Sequence, residues 1–184
     1  MPILAAEPNV YPENLLQGFT AEGGDRNWWA VYTKPRQEKS LTRQLIAKDV
    51  PVYLPLVERT TVANGRRTKS QMPVFTSYLF VYGDPQERIK ALETNRVVQM
   101  IEAPNVPRLT QDLQRIQLMI SSGKAITIES QISPGQRVRI KHGSLMGLEG
   151  VVVTRRNETR LLVAVQFLQQ GVSVLLEDFQ VEPL

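Results

Sequence analysis

Cysteine is absent from this 184-residue chain, and histidine occurs once, at His142. The first absence removes disulfides, thiolate nucleophiles and cysteine-based zinc sites, and it fits a reducing cytoplasm. The second leaves the lone imidazole beside Gly143 in a turn, where a polar surface role explains it. No phosphate-cradling Gly-x4-Gly-Lys-Ser/Thr run occurs. Adjacent carboxylates such as Glu177 and Asp178 fall at a strand end, where solvation accounts for them. Enzyme chemistry has no foothold, and neither a cofactor nor a metal is expected. Long apolar runs are missing too. Nothing approaches the roughly 18 residues of a membrane span, and no basic residue precedes Ile3 to Ala6, so a secretory signal is not expected.

What is present is an ordinary globular composition, 42% hydrophobic and 22% charged, with charge unevenly spread. Residues 1–26 carry one basic and four acidic side chains, residues 27–121 fourteen and eight, and residues 122–184 seven and six. The net charge of +4 therefore sits on the middle segment, where it would steer the chain toward a polyanion.

Residues 1–26 read as a loose tail, interrupted by Pro2, Pro8, Pro12, Gly18, Gly23 and Gly24. Structure is expected from Trp28, with a strand to Tyr32, a break at Lys34-Pro35 and a helix from Gln37 to Lys48. Val52 to Leu54 is a short strand. Asn64-Gly65 between Thr60-Thr61-Val62 and Arg66-Arg67-Thr68 is a hairpin signal, because both turn residues tolerate positive φ. Its arms carry Arg59, Arg66, Arg67 and Lys69 against Glu58 and have little to bury, so the hairpin should project. Tyr78 to Tyr82 is a strand, Pro85 opens a helix to about Glu93, Val97 to Ile101 is a strand, and Gln111 to about Ser121 is a helix. This order predicts an α+β domain over 27–121, an antiparallel sheet with helices on a face. Residues 122–133 read as a linker. Residues 134–184 hold five short strands separated by Gly-rich or polar turns, the pattern of a small all-β barrel.

Within that barrel, Gly135 to His142 alternates Val138 and Ile140 against Arg137, Arg139 and Lys141. Gly143, Gly147 and Gly150 follow, where the chain must turn sharply. The stretch resembles a KOW motif, the SH3-like barrel of NusG-type factors and some ribosomal proteins. Upstream, Trp28-Trp29-Ala30-Val31-Tyr32-Thr33-Lys34-Pro35-Arg36-Gln37-Glu38, Pro55, and Phe75-Thr76-Ser77-Tyr78-Leu79-Phe80-Val81 resemble the N-terminal (NGN) domain of the NusG-like family. The Asn64-Gly65-Arg66-Arg67 hairpin and Tyr78-Leu79-Phe80-Val81 look closest to its specialised RfaH-like paralogues.

That resemblance implies a monomeric, cytoplasmic transcription elongation and antitermination factor that binds RNA polymerase across the clamp and suppresses pausing. Alternation along Tyr78 to Tyr82 puts Tyr78, Phe80 and Tyr82 on one face and Leu79 and Val81 on the other. The aromatic face, extended by Tyr53, Leu54 and Phe75, suits polymerase. Family analogy puts Lys34, Arg36, Gln37, Lys39 and Arg43 near the non-template DNA strand, and the cationic hairpin near upstream duplex. In the barrel, the family's Phe-Gly-Arg is replaced after Phe167 by Leu168, Gln169 and Gln170. This argues against Rho as partner and leaves a ribosomal small-subunit protein or another factor for those three residues. A different reading, a ribosome-associated RNA-binding KOW protein, is weakened by the near-neutral barrel segment. No helix-to-barrel refolding is expected, given the glycines and Val-rich strands. Thr76-Ser77 also departs from the family's proline-containing turn.

Overall fold

The structure, a computed structural model of the chain, describes residues 6–17, 25–129, 135–176 and 181–184. The chain divides into two compact units, Met1–Val106 and Pro107–Leu184.

The first unit is built on a five-stranded sheet of β1 (Val10–Tyr11), β2 (Asn27–Thr33), β3 (Val52–Tyr53), β6 (Tyr78–Gly83) and β7 (Val97–Glu102), in the order β1-β3-β6-β2-β7. Its strand pairs are all antiparallel. Trp28 lies opposite Tyr82, Ala30 opposite Phe80 and Tyr32 opposite Tyr78, so one face is aromatic. The other presents Val31, Val52, Leu79 and Val81, which pack with Leu41 and Leu45 of helix α1 (Glu38–Ala47) and Ala91 of α2 (Pro85–Leu92). The alternation read from sequence is the alternation observed. At the start of α2, the Asp84 side chain accepts from the Glu87 N–H while Glu87 accepts from the Asp84 N–H, a capping box before Pro85 at the first helical position. Between β3 and β6 the hairpin β4 (Leu56–Ala63) and β5 (Arg66–Pro73) forms its own two-stranded sheet, turning at Asn64 and Gly65 with φ of 50° and 74°.

The expected loose tail is not loose over residues 6–17. Val10 and Tyr11 pair with Tyr53 and Val52, the Leu54 N–H donates to the Asn9 carbonyl at 2.7 Å, and Leu15 and Leu16 are buried. Edge pairing supplies the backbone partners, and two leucines supply the burial that the composition undervalued. Residues 1–5 and 18–24 lie outside the described residues.

The second unit contains helix α3 (Val106–Ser121) and a six-stranded antiparallel sheet, β13-β9-β10-β11-β12-β8. The five expected strands are β9 (Arg137–Ile140), β10 (Glu149–Arg155), β11 (Glu158–Val165), β12 (Gln170–Leu175) and β13 (Val181–Pro183). The sixth, β8 (Ile126–Glu129), comes from the segment read as linker and pairs along β12. Buried polar groups hold it there. Arg160 donates to Ser173 Oγ and Thr127 Oγ1, each at 2.9 Å, and Ser173 Oγ donates to Glu129 at 2.7 Å. Residues 130–134 of that supposed linker lie outside the described residues. Gly143 and Gly147 do take positive φ. Gly150 serves a different need, since a Cβ there would lie 2.5 Å from the Leu162 carbonyl oxygen.

Candidate interaction surfaces

Four regions hold the residues singled out from sequence, and the structure treats them differently. The aromatic strand face is the first. Tyr53, Leu54, Phe75, Phe80 and Tyr82 are buried, at 0–3% exposure. Phe75 and Phe80 meet edge to face with centroids 5.4 Å apart, and Trp28 tilts against Tyr82 at 5.1 Å. These are core side chains, and Leu54 belongs to the aliphatic cluster rather than the aromatic face. Of the six, only Tyr78 is half-exposed. It pairs at 5.1 Å with Tyr32, which is 36% exposed. The accessible aromatic surface is therefore a tyrosine pair at one end of β2 and β6.

That end is rigidly built. Ser77, just before β6, has φ of 62°, a left-handed conformation that disfavours a side chain. Its N–H donates to Glu38 Oε1 at 2.7 Å, with both groups buried. Its carbonyl accepts from the Thr33 N–H at 2.8 Å. A carboxylate from the first turn of α1 thus fixes the turn that lacks proline, and with it the placement of Tyr78 beside Tyr32.

The second region is the start of α1. Lys34 and Arg36 are exposed and Lys39 is half-exposed. The other two members are engaged within the chain: Gln37 accepts from Arg96, and Arg43 Nη1 reaches both Glu7 oxygens at 2.7 and 2.9 Å. The ordered N-terminal segment therefore neutralises one of the expected DNA-facing cations.

The hairpin is the third region. Every residue from Glu58 to Ser70 is exposed, including Arg59, Arg66, Arg67 and Lys69, and Lys69 makes an exposed ion pair of 2.7 Å with Glu58. It projects as its composition demanded.

The fourth region is the β11–β12 connection. β11 ends at Val165, and Gln166–Leu168 form a 3-10 turn closed by Gln169 at φ 55°. Val163 and Val165 are buried, as strand alternation places them. The alternation stops there, however, so Phe167 and Leu168 are both half-buried, Gln169 is exposed and Gln170 half-exposed. Leu168, half-buried, is therefore no protruding tip.

One charged cluster carried no sequence signal. On α3, Asp112 is buried, and burial pushes its carboxyl up to about 6 against the opposing pull of Arg115 and Arg108. Arg115 lies 3.6 Å from Asp112 and donates at 2.7 Å to Glu149 of β10. Glu149 also accepts from Arg139 at 2.6 Å, and that hydrogen bond first, then the positive neighbours, hold its carboxyl below the usual range. The cluster ties α3 to the sheet. Asp112 and Arg115 lie one helical turn apart, but their link to Glu149 and Arg139 joins distant segments, which no spacing discloses.

A family model described as "Transcription termination factor nusG" matches residues 26–119, just over half of the chain. The chain belongs to the NusG family. Among solved structures, NusG of Thermotoga maritima, from a structure concerned with domain interaction, is similar at 18% identity; the match covers 82% of this chain and 93% of that one, with a TM-score of 0.43. The NusG match takes in β2 to β7, the hairpin and α3 up to Met119, and ends before β8. Among the described residues no helix is long and apolar enough to cross a membrane. Reasoning from sequence missed Tyr32 although its register was available: it lies on the same face as Tyr78 by simple alternation. It also missed the Glu7–Arg43 and Arg96–Gln37 contacts, which are tertiary pairings without a local pattern.

Proposed function

We propose that this NusG-family chain is an elongation and antitermination factor that docks on RNA polymerase across the clamp through the Tyr32–Tyr78 end of its aromatic sheet. A ligand preferring the closed clamp shifts the population toward it, so binding alone suppresses pausing, without chemistry by the factor. The observation that carries the reading is the family match over residues 26–119, which contains the one accessible aromatic pair of that face. Lys34, Arg36 and Lys39 supply the non-template-strand contact, and the hairpin supplies the upstream one. The C-terminal sheet acts as a KOW module that recruits a partner through Gln169, Gln170 and the half-buried Leu168. The altered Leu168-Gln169-Gln170 turn favours an RfaH-like specialised role, with a ribosomal small-subunit protein rather than Rho as partner.

The test is a single-round transcription assay with purified polymerase on a pause-containing template. Adding the full-length chain should shorten the pause. An unchanged pause lifetime at saturating protein would overturn the proposal.

A further inference from the structure

The hairpin's register separates its four cations into two pairs. Directly opposed residues of an antiparallel ladder share a face, and successive residues alternate. Val62 lies opposite Arg67 and Thr60 opposite Lys69, so Arg67 and Lys69 share one face. Ala63 lies opposite Arg66 and Arg59 opposite Ser70, so Arg66 and Arg59 share the other. On each face one cation is near the Asn64-Gly65 tip and one is set back toward the body. Neither face is covered, because residues 58–70 are exposed throughout. A two-stranded ribbon of this kind is marginally stable alone, and beyond Leu56 at its base, which joins the core, it buries nothing that would explain its length. A ribbon made to lie flat on a polyanion would gather its cations on one side. This one has them on both.

We infer that the hairpin enters the major groove of B-form duplex DNA tip first and edge-on, with each face set against one phosphate wall. The dimensions agree. A ribbon with side chains on both faces is about 10 Å thick, as stacked sheets show, and the groove is about 12 Å wide and 8.5 Å deep. Six residues, Glu58 to Ala63, project about 20 Å at the usual strand rise. Arg66 and Arg67 then go in with the tip, and Arg59 and Lys69 meet the groove rims. The Lys69–Glu58 pair is exposed on both sides and weak enough to yield to phosphate. The narrow major groove of A-form RNA would not admit such a ribbon. The inference rests on the hairpin being the upstream duplex contact proposed above, and it adds the groove and the two-sided mode.

Binding of the full-length chain to a short DNA duplex, followed by fluorescence anisotropy across a salt series, tests it. Arg67→Gln with Lys69→Gln should cost on the order of tenfold in affinity at about 0.1 M salt and lower the log–log salt slope by roughly 1.8; Arg59→Gln with Arg66→Gln should do the same. A minor-groove ligand should not displace the protein. A duplex with bulky groups at pyrimidine 5-positions should bind at least tenfold more weakly, as should an RNA duplex of the same sequence. An effect confined to one pair, displacement by the minor-groove ligand, or equal binding to the groove-filled duplex would overturn the inference. Thermal melts of the variants, all at exposed sites, confirm folding. Polymerase retained by the wild-type chain after nuclease treatment reads the polymerase contact separately, so duplex binding without retention would sink the functional proposal and leave this one standing.

Discussion

The strands β2 and β6 and the hairpin β4–β5 lie in the same unit and answer opposite demands. Trp28, Phe80 and Tyr82 carry large apolar area and are buried; residues 58–70 carry almost none and are exposed. Alternation reports which residues share a face but not whether that face is covered, because covering is a tertiary event. Five of six aromatic-surface candidates were consequently core, and the face narrowed to Tyr78 with its neighbour Tyr32. The hairpin could be read correctly because a segment with so few apolar residues has no alternative to solvent or a polar partner.

The sharpest way to break this contrast is to truncate on each side of it. Phe80→Ala should cost about 3–5 kcal/mol, the usual penalty for emptying an aromatic core site. Chemical denaturation measures it, and a loss below about 1 kcal/mol would return Phe80 to the surface.

Charge can be compared in the same way, since the hairpin's cations are solvated and Asp112 is not. The native Asp112 carboxyl titrates at about 6 against an ordinary 3.8, so the folded state holds its proton more tightly. Stability should therefore fall as pH rises from about 4 to about 6 and then level off. Asp112→Asn should remove that fall and leave the variant on the order of 2–3 kcal/mol more stable at pH 7, with little difference at pH 4. Melting curves across that range check it; parallel profiles for the two proteins would contradict it.

Glu38→Ala comes next, at about 1–3 kcal/mol, because the buried Ser77 N–H loses its acceptor. It should also loosen the Tyr32–Tyr78 pair, visible as changed tyrosine side-chain resonances. The smallest effect on stability belongs to Arg66→Ala with Arg67→Ala. The melting free energy should move by less than about 0.5 kcal/mol, while the salt slope of nucleic-acid binding falls by about 1.8.

Much of the fold was legible. The α+β unit, the hairpin, the helix start at Pro85 and the five C-terminal strands follow from local chemistry: alternation, turn residues and a proline at a helix start. What escaped depended on distant partners. β8 pairs along β12, and Arg160 and Ser173 hold its Thr127 and Glu129 there; the β-branched Ile126-Thr127-Ile128 run suits a strand, but it is too short to settle the matter without that partner. The N-terminal segment is ordered by pairing with β3 and by Glu7 on Arg43. Of the candidate surfaces, exposure of the hairpin was evident from composition. The engagement of Arg43 and Gln37 was not.

The Tyr32–Tyr78 pair is the accessible remnant of an otherwise buried aromatic face. The most direct test of its docking role is co-purification of RNA polymerase with full-length Tyr32→Ala, Tyr78→Ala protein, folding being verified by circular dichroism. Loss of polymerase from a folded double variant is the predicted result, and undiminished recovery would contradict it.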